Sequence, residues 1–188
     1  MIVEILLEEP SMENFLRVVL PKILPPNYVL DENCFLRPHN GKSDLKKSIP
    51  NKIKVFSNYY EPARVIIIHD QDSNDCKILK KSLIDLCKVN GDCPVLIRIA
   101  CRELESWYLG DMDAIEKVYP KFKAKNFKKV AKFRNPDLLQ ASQELKILIP
   151  EFQKGVASKN IAKFISIDKN TSLSFSHLIS GIRKFLED

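Results

Sequence analysis

Two aspartates directly follow an aliphatic run in the stretch VIIIHDQDSNDC. Asp70 and Asp72 lie two residues apart, so in an extended chain their side chains leave the same face, with Cα atoms about 6–7 Å apart. Glu8 follows another aliphatic run, at residues 2–7. If the two runs form neighbouring strands of one sheet, three carboxylates converge at its edge.

Carboxylates held that close repel one another, and at least one takes up a proton unless a cation is present. Ligands that are all oxygen atoms suit a hard divalent ion such as Mg²⁺. The residues therefore predict a metal site formed by Glu8, Asp70 and Asp72. Each acid alone also has a plainer interpretation, because an aspartate can cap a following helix and Glu8 can be a solvated strand end.

An aspartate pair after a strand also occurs in phosphohydrolases that use an aspartyl nucleophile. The first aspartate then attacks phosphorus, and the second transfers protons. This alternative gives Glu8 no role, so the two hypotheses differ in whether Glu8 belongs to the site.

Strands and helices alternate along the first hundred residues in a way that predicts an α/β fold. Strands are predicted at 2–7, 28–36 (nearer the sheet edge), 64–69 and 94–100. Ser11, Ser43 and one of residues 73–75 are predicted to cap the intervening helices, Asn90-Gly91 to end the third, and Ser172 or Ser174 to cap a last helix. We therefore expect a mainly parallel four-stranded sheet flanked by helices, with its functional crevice beyond the carboxyl ends of the strands.

The rest of the chain is predicted to be mostly helical. This division suggests an α/β core over residues 1–110 and a helical extension over residues 111–188, packed together as a single compact unit.

The composition is that of a globular protein with a hydrophobic core, with 45% hydrophobic and 29% charged residues. Its five cysteines show no CxxC spacing, which favours reduced thiols over a zinc site or a disulfide framework. The acidic N-terminus is unlike a signal or transit peptide, and the apolar runs are too short to span a membrane. The sequence thus predicts a cytoplasmic protein without a membrane partner.

Positive charge is concentrated in one basic window, residues 119–136, although the whole chain carries a net charge of +6. The window contains no acid, and its cations are Lys121, Lys123, Lys125, Lys128, Lys129, Lys132 and Arg134. Aromatic residues at 119, 122, 127 and 133 are interleaved with them, which is typical of a surface that contacts phosphates and stacks on bases. The plainer alternative is an amphipathic helix with Phe127, Val130 and Phe133 facing inward.

Six segments, in order, resemble the RloG-like bacterial family of the Toprim superfamily: LLEEPSMENFL, GKSDLKK, IIIHDQDSNDCKILKK, IRIACRELESWYLGD, FRNPDLL and NTSLSFSHL. The resemblance implies a Rossmann-like sheet that uses Mg²⁺ (or Mn²⁺) to cleave or transfer phosphodiesters. Glu8 matches the catalytic glutamate after the first strand, and Asp70 and Asp72 match the Asp-x-Asp pair. A glycine usually follows the Toprim glutamate, but here Glu9 does, so either Glu8 or Glu9 can face the site; we favour Glu8.

The segment RELESWYLGD adds two more acids, Glu103 and Glu105, after the fourth predicted strand. Either one can complete a second metal position of the kind found in two-metal nucleases. Alternatively, Glu103 pairs with Arg98 or Arg102. Trp107 is expected in the core.

The resemblance implies a magnesium-dependent nuclease, a hydrolase that cleaves phosphodiester bonds of DNA or RNA. It also implies a protein partner with ATPase activity in a restriction-linked or phage-defence system, and it allows a homo-oligomer. The main alternative is a catalytically quiet module that binds nucleic acid or an ATPase and uses its acids as a structural cation site.

Overall fold

The computed structural model describes residues 1–88 and 91–187. Its strands are β1 (Ile2–Leu7), β2 (Cys34–Pro38), β3 (Ala63–Asp70) and β4 (Val95–Ala100). All four are parallel, in the order β2-β1-β3-β4. The predicted four-stranded parallel sheet is therefore confirmed, and β1 and β3 are its central strands.

Helices follow each strand and fill the C-terminal half. They are α1 (Pro10–Val19), α2 (Lys42–Phe56), α3 (Cys76–Lys88), α4 (Glu105–Leu109), α5 (Met112–Val118), α6 (Ala124–Phe127), α7 (Ala141–Leu148), α8 (Lys154–Ala162) and α9 (Leu173–Glu187). Short 3-10 helices lie at Leu20–Lys22, Ala131–Arg134 and Pro136–Leu138. None of the helices described here is long and apolar enough to cross a membrane.

The two faces of the sheet bury separate hydrophobic clusters, because successive side chains of a strand point to opposite faces. Ile66 and Ile68 of β3 pack with α1, α4, α5 and α7–α9, whereas Val65 and Ile67 pack with α2 and α3. The larger cluster is centred on aromatic rings. The ring centroid of Phe15 lies 5.6 Å from that of Trp107 and 6.1 Å from that of Phe175. Trp107 is fully buried, as predicted.

One acid inside the first aliphatic run is explained by pairing. Glu4 is buried in β1 and receives two hydrogen bonds from Arg37 of the edge strand β2, at 2.7 and 3.1 Å. A bidentate arginine satisfies both carboxylate oxygens, which makes burial of the charge tolerable. Glu4 is therefore structural.

Several predicted boundaries were wrong. Residues 31–33 form a turn and Leu30 makes only an isolated bridge to Cys34, so the edge strand begins at Cys34. Pro10 begins α1 with Glu9 as its N-cap residue, and Ser11 donates to the Glu9 carboxylate instead of capping. Gly41, at φ 95°, precedes α2 where Ser43 was predicted to cap.

Other predicted helix ends agree with the structure. Asp75 accepts hydrogen bonds from the backbone N–H groups of residues 77 and 78 at the start of α3, and Ser172 accepts from Phe175 at the start of α9. The predicted end of α3 at Asn90 lies outside the described residues.

The last helix covers the β4 edge. Arg98 of β4 donates to the carbonyl of His177, and Arg64 of β3 lies 5.4 Å from the ring centroid of Phe185.

The division of the chain near residue 110 stays a prediction. All five cysteines are free thiols, as expected.

Candidate functional site

Glu8 and Asp70 meet at the carboxyl edge of the two central strands. The register pairs Leu7 with Ile68, so Glu8 lies beside the end of β3. Its Oε2 accepts a hydrogen bond from the Asp70 backbone N–H at 3.0 Å and lies 3.0 Å from Nδ1 of His69. The Asp70 carbonyl also lies 2.5 Å from Nδ1. Because both neighbours are acceptors, Nδ1 must carry the proton and donate.

The environments of Glu8 and Asp70 push their pKa values apart. Burial alone would raise the pKa of Glu8, but the hydrogen bonds from His69 and Asp70 N–H, with the charge of Lys42, lower it. Asp70 is buried beside the negative charge of Glu8, and both effects raise its pKa well above the usual range. The environment of Glu8 therefore favours its ionised form, and the environment of Asp70 favours its protonated form.

A lysine from α8 completes the site on the face of the sheet that α1 and α4 cover. Lys154 Nζ lies 2.6 Å from Oε1 of Glu9 and 3.5 Å from Oε1 of Glu105. Burial works against the charge of Lys154, but Glu105 and Glu9 outweigh it and raise its pKa. Asp70 is close enough for its charge to add to this effect. Glu9, Asp70 and Glu105 thus share one cationic neighbour.

Several buried oxygen atoms beside Lys154 have no hydrogen-bond partner among the described residues. They are Oδ1 of Asp70, both carboxylate oxygens of Glu105 and the hydroxyl of Tyr108. Burial raises the pKa of Glu105 to about 7, although Lys154 opposes the shift. Burial, with the charges of Glu105 and Asp70, raises the pKa of Tyr108 well above its usual value. Buried oxygen atoms without hydrogen bonds cost folding free energy. A ligand that interacts with the oxygen atoms of this cluster would remove that cost, which makes the cluster a candidate binding site.

Asp72 does not share a face with Asp70, contrary to the prediction. The extended chain ends at Asp70, and Asp72 has φ 53°, in the left-handed region. Its N–H donates to the carbonyl of Arg102, which also has a positive φ of 62°. The Asp72 carboxylate instead lies 3.1 Å from Nζ of Lys42. Lys42 also interacts electrostatically with Glu8, because the charge of Glu8 helps to raise the pKa of Lys42. Lys42 therefore interacts with both Asp72 and Glu8.

Glu103 has a structural hydrogen bond. Its Oε1 accepts from the backbone N–H of Ser142 at 2.7 Å, at the start of α7. The alternative pairing with Arg98 or Arg102 was wrong, because those guanidinium groups donate to backbone carbonyls. Glu103 still lines a small pocket of about 200 Å³ together with Asp72 and Arg102.

The cations of the basic window are exposed, whereas its phenylalanine rings pack against the protein. Phe122 and Phe133 are buried, and Phe127 stacks on Phe122 with centroids 5.0 Å apart. The base-stacking role predicted for these rings is therefore wrong, because they anchor α6 and the following 3-10 helix to the core. The alternative interpretation was right that Phe127 and Phe133 face inward. It was wrong for Val130, which is exposed, and for the single helix, because the segment forms α6 and a separate 3-10 helix.

Three of the seven cations in the window pair with acids outside it. Lys123 lies 3.4 Å from Glu116, Lys132 lies 2.6 Å from Glu144, and Lys128 pairs with Asp113. The lysine side chains of all three pairs are exposed, so solvent weakens the pairs. They reduce the positive charge that the window offers to a phosphate backbone.

Comparisons with known proteins agree with this architecture. Residues 7–183 match the family described as "Domain of unknown function (DUF4276)". The chain belongs to the DUF4276 family. No curated protein matches the sequence.

Two solved structures share the fold across the whole chain. The C-terminal region of the Burkholderia pseudomallei OLD protein has a TM-score of 0.56 at 15% identity, with 98% of each chain covered. The C-terminal region of the Xanthomonas campestris pv. campestris OLD protein has a TM-score of 0.54 at 14% identity, covering 98% of this chain and 96% of that one. At such identity the likeness concerns the fold alone.

The residues of this DUF4276 chain fit a hard divalent cation by their chemistry. The donors at the edge are all carboxylate oxygens, and Oδ1 of Asp70 and both oxygens of Glu105 are buried without a hydrogen-bond partner among the described residues. In their present conformations, however, no three Asp, Glu, His or Cys side chains of residues 1–88 and 91–187 are grouped closely enough to hold an ion. Lys42 and Lys154 provide the positive charge there instead.

Sequence reasoning missed three groups that shape this edge. His69 directly precedes Asp70, and its place in a buried strand was a usable signal. Lys42 and Lys154 gave no signal, because only the folded chain brings α2 and α8 to the strand ends.

Proposed function

We propose that this DUF4276 protein is a divalent-metal-dependent nuclease of the Toprim type that hydrolyses phosphodiester bonds of DNA or RNA. The observation that carries the proposal is the buried, unpartnered Asp70 oxygen beside Glu8, Glu9 and Glu105, at the carboxyl edge of a parallel sheet. Ligands bind at this edge in open α/β folds. The fold shared with the C-terminal regions of the OLD proteins is compatible with this assignment.

Asp70, Glu8 and Glu105 are the residues we expect to hold Mg²⁺ or Mn²⁺. A bound divalent ion would neutralise phosphate charge and lower the pKa of an attacking water. Glu8 is ionised already and can act as a ligand without losing a proton. The environments of Asp70 and Glu105 raise their pKa values and so favour the protonated forms, so metal binding should liberate protons.

His69 and Lys154 have supporting roles in this proposal. His69 donates to Glu8 and fixes the orientation of that carboxylate. Lys154 holds Glu9 and Glu105 together until another cation shares their charge. We keep Asp72 as a peripheral ligand, reached only if Lys42 moves aside.

A second candidate function is favoured by one observation. The lysines already neutralise the acids, and the described side chains form no ready-made metal cluster. A catalytically quiet module that binds nucleic acid or an ATPase would need nothing more. The aspartyl-nucleophile alternative has less support, because a buried carboxyl with a raised pKa is a poor nucleophile.

The RloG-like affiliation, an ATPase partner and a role in phage defence belong to the proposal as what the resemblance implies. The cytoplasmic location predicted from the N-terminus and the short apolar runs, and homo-oligomer formation, are also part of the proposal.

A cleavage assay tests the proposal. Plasmid DNA, single-stranded DNA and RNA are incubated with Mg²⁺ or Mn²⁺ and with wild type, Asp70→Asn or Glu8→Gln. We expect metal-dependent cleavage that falls by at least about 100-fold in either variant, as expected when a group that stabilises developing charge is lost. Asp75→Asn is the matched control, since Asp75 caps α3 outside the cluster.

Cleavage that survives both substitutions would reject the assignment. Absence of cleavage by the wild type, with nucleic-acid binding retained, would favour the quiet module.

A further inference from the structure

A groove beside the basic window combines cations and one exposed aromatic ring from three chain segments. Residues 109–117, 128–134 and 164–171 line this lateral groove, which has a volume of about 690 Å³. Sequence reasoning considered only the second segment. The other two supply what that segment lacks: Phe164 is 45% exposed, whereas Phe122 and Phe133 are buried.

The lateral groove is electropositive. Four cations line it, at positions 117, 128, 134 and 169, against two acids. Asp111 is buried and occupied, because its two oxygens accept the N–H groups of Ala114 and Ser166. Asp113 pairs with Lys128. Lys117, Arg134 and Lys169 have no carboxylate partner among the described residues and remain available to a ligand.

The ammonium of a lysine lies over the aromatic ring in the groove. Nζ of Lys117 lies 5.4 Å from the ring centroid of Phe164. An exposed ring offers a stacking surface for any base, and an adjacent ammonium can neutralise the next phosphate. An acidic peptide would use the cations but would have no planar group for the ring.

The groove also lies close to the carboxylate edge. Gly110 lines it and directly follows α4, the five-residue helix that begins with Glu105. A helix of that length is about 7.5 Å long, so Gly110 lies about one short helix from the backbone of Glu105.

We infer that the lateral groove binds single-stranded nucleic acid, with a base stacked on Phe164 and phosphates at Lys117, Arg134 and Lys169. The inference rests on the proposed function and adds the path by which the polymer reaches the carboxylates.

Binding of a fluorescent single-stranded oligonucleotide, followed by anisotropy, tests this inference. The measurement uses the full chain with Asp70→Asn and a chelator, so that no cleavage occurs. Phe164→Ala should weaken binding by about tenfold. Phe164→Leu keeps an apolar side chain without a π face and should lose nearly as much. Tyr60→Ala removes an aromatic that is fully exposed elsewhere and should change affinity by less than about twofold.

The cations have a separate readout. The double variant Lys117→Gln/Lys169→Gln should lower the slope of log affinity against log salt by about 1.4, because each phosphate contact on a single strand contributes about 0.7. Lys54→Gln, on the exposed side of α2, is the matched control and should leave the slope unchanged.

Equal affinities for wild type and both Phe164 variants would overturn the inference. So would a polyglutamate peptide that binds as tightly as the oligonucleotide. Sensitivity to Phe164 without any cleavage by the wild type would reject the nuclease and keep the groove. Cleavage by the wild type with binding that is insensitive to the Phe164 substitutions would keep the nuclease assignment and reject the groove as the binding site.

Discussion

Glu8 and Asp70 lie at the ends of neighbouring parallel strands, and the Glu8 carboxylate accepts the Asp70 backbone N–H at 3.0 Å. Hydrogen bonds lower the pKa of Glu8, whereas burial and the nearby charge of Glu8 raise the pKa of Asp70. Two carboxyl groups with divergent pKa values at the ligand-binding edge of a sheet are typical of functional sites.

Asp70→Asn should abolish stabilisation by metal. A ligand that binds only the folded state at about 100 times its Kd adds about 2.7 kcal/mol, which raises the Tm by several degrees in a protein of this size. Thermal melts with and without Mn²⁺ measure this shift. The wild type should show it and Asp70→Asn should not, while Asp75→Asn should respond like the wild type. An equal shift in all three proteins would place the ion elsewhere.

Lys154→Met should destabilise the fold by about 1–3 kcal/mol, because it leaves Glu9 and the buried Glu105 without a cation. Lys42→Met is the comparison. Its partner Asp72 is exposed, so the loss should stay below about 1 kcal/mol. Urea denaturation of both variants in a chelator measures the free energy of unfolding. Equal losses would contradict the role given to Lys154.

Glu105→Gln should stabilise the metal-free protein progressively as the pH rises. The pKa of Glu105 is about 7 when folded and near 4.5 in a solvated chain. The folded state therefore binds the proton more tightly, and stability from this group is lost as the pH rises from about 4.5 to 7. The glutamine variant does not lose it.

Unfolding free energies at pH 5 and pH 8 test this. The advantage of Glu105→Gln should grow by about 1–3 kcal/mol over that interval. A constant difference, or one that grows toward low pH, would show that Glu105 is ionised throughout.

Gly110→Ala should destabilise the protein by about 1–3 kcal/mol. A Cβ at Gly110 would lie 2.1 Å from Oδ1 of Asn170 and 3.0 Å from the backbone N of Ser172. Asn170 is fixed there by donating to the Trp107 carbonyl. Gly155→Ala in α8 is the matched control, with no atom within 4 Å, and should stabilise by about 0.5–1 kcal/mol. Calorimetric melts of both variants show whether each substitution raises or lowers the free energy of unfolding.

Much of the fold could be predicted because the central strands are strongly marked. The aliphatic runs ending at Leu7 and Asp70 matched β1 and β3 within a residue or so, and their adjacency placed Glu8 beside Asp70. Parallel order follows when helices connect such strands. The weak edge strand was misplaced, because the polar residues at 31–33 form a turn that no periodicity distinguishes from a short strand.

The site was only partly predictable. Extended geometry was assumed to continue to Asp72, but a left-handed turn at that non-glycine residue directs its carboxylate to Lys42. The neutralising role of Lys154 arises from packing of α8 near α4, which leaves no local pattern. For the aromatic residues of the basic window the sequence left both exposure and burial open, because their burial depends on contacts with distant helices.

Anomalous diffraction from crystals soaked in Mn²⁺ tests the central claim most directly. The account predicts a peak about 2.2 Å from a carboxylate oxygen of Asp70, shared with Glu8 or Glu105, with Lys154 withdrawn from Glu105. A fully occupied peak that touches none of these three acids, or none at saturating Mn²⁺, would contradict it.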